Sequence, residues 1–101
     1  MRTEERGGFR LEDRTRVHVF VHGDIEGTGF KEAIAQKATE QGVVGWVKEL
    51  ADGRIEAAIE GPRDPVYRVV GLCRAGPRGA TVSGVQVDRE SPKNEKTFKI
   101  K

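Results

Sequence analysis

Three glycines within seven residues, Gly23, Gly27 and Gly29, separate an apolar run from a helical pattern that starts at Phe30. Glycine lets consecutive backbone N–H groups turn toward one point, and the N-terminus of the following helix adds its partial positive charge. The stretch from Val21 to Lys31 therefore reads as an anion cradle, suited above all to phosphate. Lys31 closes the loop with a cation, and Glu49 further along offers a carboxylate. Taken alone, a glycine-rich strand-to-helix loop is equally a tight turn, so its meaning depends on the elements around it.

Those elements follow from periodicity. Val17, Val19 and Val21 alternate with His18, Phe20 and His22, which predicts a strand over 15–22 with one aliphatic face. Phe30, Ala33, Ile34, Ala38 and Gln41 recur at helical spacing and Gly42 supplies a stop, giving a helix over 30–41. A second strand over 43–50 leads through the turn signal Ala51-Asp52-Gly53 into a third over 54–61. Asp64 as N-cap and Pro65 as first helical residue open a second helix, whose stripe is Val66, Val69, Val70 and Cys73, and Gly76-Pro77 ends it. Val82, Val85 and Val87 mark a fourth strand, expected to be bulged near Gly84, and residues 97–101 form a short fifth.

The order βαββαβ plus an edge strand predicts an α+β, ferredoxin-like sandwich: a five-stranded, mainly antiparallel sheet with both helices on one face. Strands 1 and 2 then run in the same direction on either side of helix 1. Glu49 shares a strand face with Val47 and Gly45, so if Val47 faces the helices, Glu49 points toward the glycine loop.

A chain of 101 residues holds one domain. Residues 1–14 alternate charge signs and include Gly7-Gly8, and are expected to be a flexible tail before a domain spanning 15–101. They lack an apolar core and are not a signal peptide, and no later stretch is long and apolar enough for a membrane span. The net charge of +2 arises from 18 basic and 16 acidic residues mixed along the chain, without the basic stripe that nucleic-acid binders use. A single cysteine, Cys73, gives neither a disulfide nor a thiolate metal site and fits a reducing, cytoplasmic setting. His18 and His22 are about 13 Å apart along a strand, too far to share a metal, and are expected on the solvent side. Phe20 and Trp46 are expected as packing residues and Cys73 as a buried inert thiol.

At this point the residues resemble an acylphosphatase. That family's loop, G-x-V-Q-G-V-G-F-R, is similar to Gly23-Asp24-Ile25-Glu26-Gly27-Thr28-Gly29-Phe30-Lys31. Further likeness lies in Ala38, Gly42-Val43-Val44-Gly45-Trp46-Val47, Asp52-Gly53-Arg54-Ile55-Glu56, Glu60-Gly61-Pro62, Gly76-Pro77 with Val82, and Phe98-Lys99-Ile100. The resemblance implies a small cytosolic enzyme that hydrolyses the carboxyl–phosphate bond of acyl phosphates without metal or other cofactor, and acts as a monomer on a small molecule. It implies a phosphate-binding loop of Gly23, Ile25, Glu26, Gly27, Thr28, Gly29 and Phe30, able to take substrate, inorganic phosphate or sulfate. It also implies an arginine that holds the phosphoryl oxygens and an asparagine that positions the attacking water. On this chain those two positions are Lys31 and Glu49.

Both differ from the family pattern. Lysine keeps the charge but loses the planar fork that grips two oxygens at once. A carboxylate cannot donate a hydrogen bond as an amide does, and it is negative toward a negative substrate. At 5 to 6 Å and an effective dielectric of 20 such a pair repels by at most about 3 kcal/mol, or about two decades in rate. Glutamate is the better general base toward water, yet phosphoryl transfer depends chiefly on positioning and electrostatics. Slow or absent hydrolysis is therefore the expectation, with a non-catalytic module binding an anion or a protein as the alternative. RNA binding on the same arrangement requires aromatics on the central strands, and strand 54–61 has none.

Overall fold

The computed structural model describes residues 14–101, so the expected tail over 1–14 lies outside the described residues except for Arg14, which begins the first strand. The elements are β1 (Arg14–Asp24), α1 (Phe30–Gln41), β2 (Val44–Glu49), β3 (Ile55–Pro62), α2 (Arg63–Ala75), β4 (Thr81–Glu90) and β5 (Phe98–Ile100). They form one sheet in the order β4-β1-β3-β2-β5. β1 pairs antiparallel with β3 and β4, β2 pairs antiparallel with β3, and only the β2–β5 pair is parallel. This is the expected ferredoxin-like α+β sandwich.

The alternation in β1 decides which face is which. Val17, Val19 and Val21 are fully buried with Ile34 of α1, Val47 of β2, Ile59 of β3, and Val66 and Val69 of α2. α1 and α2 touch each other as well as the sheet, so one core lies between the helical layer and one sheet face. α1 ends as predicted. Gly42 at φ 71 lets its own N–H and that of Val43 return to the carbonyls of Thr39 and Ala38, the paired bonds of a Schellman motif.

One local expectation is corrected. α2 begins at Arg63 with extended Pro62 at its N-cap, and the Asp64 side chain caps nothing. Pro65 still falls in the first turn, where its missing N–H costs no intrahelical bond, and Asp64 faces the positive end of the helix. Phe20 and Trp46 are packing residues, as expected, on the face opposite the helices. There His18 stacks on Phe20 at 5.2 Å and meets Trp46 edge-on at 5.7 Å. His18 lies on that open face as expected but is not simply solvated, because its two ring nitrogens sit 2.6 Å from Glu56 and 2.8 Å from Glu90. The bulge in β4 is found where expected: His22 pairs with Gly84 and Gly23 with Val82, leaving Ser83 as the extra residue.

At the other end of the open face, Glu60 of β3 is 0 % exposed. Its carboxylate accepts from Arg14 at 2.6 Å, Arg16 at 2.9 Å and the backbone N–H groups of Lys93 and Asn94 at 3.0 and 2.9 Å. Lys93 and Asn94 belong to the crossover that carries the chain from β4 at one sheet edge to β5 at the other. Glu60 thus fastens this crossover to the centre of the sheet. Burial alone would raise its carboxyl; the Lys93 amide, the two guanidinium groups and the Asn94 amide outweigh it and hold the group at about 2, from an ordinary 4.5.

A depressed carboxyl contributes stability that is complete above the unfolded-state value and is lost as pH falls through the folded one. Glu60→Gln is therefore expected to cost about 3 kcal/mol at pH 7. In urea unfolding, the gap between Glu60→Gln and the unmodified chain should close as pH is lowered from about 4.5 toward about 2. A pH-independent gap would show that packing rather than charge supplies the difference.

Candidate active site

Because β1 and β2 are both antiparallel to β3, their C-terminal ends meet at one end of the sheet, opposite the Glu60 cluster. The register places Val21 and Glu49 on either side of Ile55. The glycine loop leaves β1 there. Ile25 and Phe30, each 3 % exposed, enter the core and pin the two ends of the loop, while Glu26, Gly27 and Gly29 stay at the surface. Between the pins, Thr28 donates both its backbone N–H (3.3 Å) and its hydroxyl (2.5 Å) to the Ile25 carbonyl.

Gly27 and Gly29 take the left-handed conformation at φ 74 and 73, and Gly29 is the N-cap of α1 without a side-chain capping bond. The first helical bond runs from Ala33 N–H to the Gly29 carbonyl. Among the described residues, no acceptor takes the N–H groups of Gly27, Gly29, Phe30, Lys31 or Glu32. These amides stand where the α1 dipole is positive.

The loop, the first turn of α1, the end of β2 and the start of β3 enclose a cavity of about 410 Å³, lined by Ile25, Gly27, Gly29, Phe30, Lys31, Glu32, Glu49, Gly53 and Ile55. The expected meeting of Lys31 and Glu49 is present, and Glu49 points where its strand face predicts. They do not pair with each other: the ion pairs among the described residues lie on the open face and in the 52–54 turn. Three loop residues stand apart from this cavity. Gly23 lies at the β1–β4 bulge, Thr28 turns back on Ile25, and Glu26 lies against Gly53 beside a smaller hollow of about 110 Å³ that Asp24, Asp52 and Arg54 also line.

Glu32 is the site residue that the sequence reading missed. Its signal is its place in the first turn of α1, next to Lys31, where a carboxylate answers the same partial charge that an anion would. The cavity lining therefore carries one cation and two carboxylates, Lys31 against Glu32 and Glu49. Elsewhere, the Cys73 thiol is fully buried and burial pushes it up to about 12, as its place on the α2 stripe suggested. Among the described residues no cluster of side chains is arranged to hold a metal ion, and no helix is long and apolar enough to cross a membrane.

A two-layer sandwich whose first helix starts from a glycine loop at the end of an interior strand, beside a charged cavity, defines a compact class of α+β proteins. Within that class, the chain belongs to the acylphosphatase family, whose sequence profile matches residues 17–100. It is 45% identical over 86 residues to an acylphosphatase of Trichormus variabilis, covering 85% of either chain. It is 43% identical over 84 residues to one of Pyrobaculum arsenaticum, covering 82% of this chain and 88% of that one. The solved acylphosphatase of Coxiella burnetii superposes with a TM-score of 0.85 at 31% identity, covering 89% of this chain and 95% of that one.

The glycines of the loop differ in what they support. A Cβ on Gly29 meets nothing within 4 Å, so Gly29→Ala is expected to lose only the strain of a left-handed alanine, about 1 kcal/mol. A Cβ on Gly23, at φ 150, would lie 2.2 Å from the Thr81 carbonyl oxygen, and Gly23→Ala should cost more than twice as much. Equal losses in urea unfolding would mean that the β1–β4 bulge relaxes freely.

Proposed function

We propose that this chain is an acylphosphatase whose hydrolysis of ordinary acyl phosphates is slow, because its cavity presents carboxylates to the transferring phosphoryl group. In that reaction a water oxygen bonds to phosphorus and the bond from phosphorus to the carboxyl oxygen breaks. The bonding pair leaves with the carboxylate, and the two water protons end on the released dihydrogen phosphate. The loop amides of Gly27, Gly29, Phe30 and Lys31, with Ile25 and Phe30 holding the loop, cradle the phosphoryl oxygens at the helix N-terminus. Lys31 adds its charge at a single point where a guanidinium would grip two oxygens.

The observation that carries this reading is the lining of the cavity: Lys31, Glu32 and Glu49 face one space, and Lys31 neutralises neither carboxylate in an ion pair. Glu49 occupies the position from which an amide would hold the attacking water, and Glu32 competes with the anion for the helix end. No metal or other cofactor enters the scheme. Support for a cytoplasmic setting comes from the lone buried Cys73, and for a small-molecule ligand in place of nucleic acid from the evenly mixed charges.

Four proteins on one aryl acyl phosphate at neutral pH test the proposal: the unmodified chain, Lys31→Arg, Glu49→Asn and the double variant. Glu49→Asn is expected to raise kcat/KM by about tenfold or more, Lys31→Arg alone by less, and the double variant most. Fast hydrolysis by the unmodified chain that collapses in Glu49→Asn would instead make Glu49 a general base. In a parallel titration, inorganic phosphate should move the amide resonances of Gly27 to Lys31 before those of surface lysines and arginines elsewhere.

A further inference from the structure

We infer that the crossover and β5 together form a strap that opens from the sheet as a unit, with Glu60 as its latch, and that opening slackens the phosphoryl-binding cavity. The effect on the cavity rests on the functional reading above; the strap and its latch do not. The strap buries little. From Ser91 to Thr97 every residue except the half-buried Glu95 is exposed, Ile100 is 47 % exposed, and Phe98 alone of its residues packs against the core. A segment with so few apolar contacts opens at a smaller cost than the core it joins. What holds it is polar: the Lys93 and Asn94 N–H groups donate to Glu60 at 3.0 and 2.9 Å, Arg16 donates to Glu95 at 3.2 Å, and Arg14 reaches the Glu95 carbonyl at 3.4 Å. Each of these bonds is made to Glu60 or by an arginine that Glu60 holds, so the set depends on one carboxylate.

Although its latch lies at the far end of the sheet, β5 reaches the cavity walls. It touches both β2 and α1, the elements that bring Glu49 and Lys31 into the cavity lining. On β2, the Gly45 N–H donates to the Thr97 carbonyl at 2.9 Å and the Val47 carbonyl accepts from Lys101 N–H at 2.8 Å, two residues before Glu49. With β5 in place β2 is an interior strand; with β5 lifted away, β2 becomes the sheet edge and loses its bonds on one side. Strap closed and strap open are then two discrete arrangements, and the cavity geometry belongs to the closed one. An anion that binds only the closed arrangement must in turn hold the strap shut, by the reciprocity of linked equilibria.

Hydrogen exchange of the full chain across a series of low urea concentrations tests the opening, because a partial opening exposes less surface than global unfolding and so depends less on urea. The amides of Gly45 and Lys101 are expected to exchange faster than those paired between β1 and β3 from Val17 to Val21, and with a smaller urea dependence. Glu60→Gln should lower protection at Gly45 and Lys101 by about tenfold or more. Asn94→Val, which disturbs the strap at φ 59 without touching the Glu60 side chain, should do the same, whereas Asn94→Gly keeps that turn and should leave protection within about twofold. Inorganic phosphate at ten times its dissociation constant, with ionic strength matched by sodium chloride, should slow exchange at Gly45 and Lys101 by up to about tenfold. Equal rates and equal urea dependence at the two sets of amides, or unchanged protection in both Glu60→Gln and Asn94→Val, overturn the strap and leave the phosphoryl cradle standing. Phosphate protection confined to the β1–β3 amides overturns the link to the cavity. If phosphate perturbs no loop amide, the cradle reading fails and the link falls with it, while the exchange comparison still decides the strap.

Discussion

One buried carboxylate holds the sheet together across its width. The chain leaves β4 at one edge and reaches β5 at the other, so the intervening segment must cross strands it does not pair with. Glu60, on the central strand β3, takes two guanidinium groups from β1 and two backbone amides from the crossover. Asn94 turns there at φ 59, a conformation its side chain tolerates better than most. Arg16 extends the cluster to Glu90 at the end of β4 and to Glu95 of the crossover. Without those bonds Glu60 would be a charge in a dry environment, and the parallel pairing of β5 with β2 would hang on a free strap.

The cavity lies at the opposite end of the same strands and follows the opposite rule. At Glu60 the carboxylate is answered from within the chain; at the loop, the N–H groups of Gly27, Gly29, Phe30 and Lys31 and the charges of Lys31, Glu32 and Glu49 have no partner among the described residues. Ile25 and Phe30 make this possible by fixing the loop at both ends, so that the exposed amides are held by apolar packing and not by their own hydrogen bonds. The anion site proposed there would thus be shaped before its ligand arrives, which is what preorganised electrostatic stabilisation requires. Lys31 and Glu49, together with Glu26 and Thr28 in the loop, distinguish this chain from the family pattern whose glycines it keeps.

Much of this was legible in the residues. Alternation in Val17, Val19 and Val21 identified the buried face of β1, and glycines at 42, 53 and 76 marked turns that only favour such residues. Glu49 could be aimed at the loop because strand parity and connection direction are nearly geometric laws. What escaped were features set by partners distant in sequence. Asp64 has the chemistry of an N-cap, but the extended backbone of Pro62 starts the helix earlier. His18 reads as an exposed polar residue until β3 and β4 bring Glu56 and Glu90 to its two nitrogens. Glu32 looks like an ordinary first-turn acid, and only the return of β2 beside α1 places it with Glu49.

The position of β1 has a consequence for how the chain reaches this state. It is the earliest strand in the described sequence, yet it lies inside the sheet, and both of its neighbours, β3 and β4, are made later. Pairing over such separations closes large loops before any contact rewards it, which slows folding relative to helical proteins of this size. During that interval Val17, Val19 and Val21 form an unpaired apolar edge with high strand propensity. The charged residues that flank and interleave them, Arg14 and Arg16, with the polar ring of His18, guard that edge against a second copy of itself before its own partners arrive.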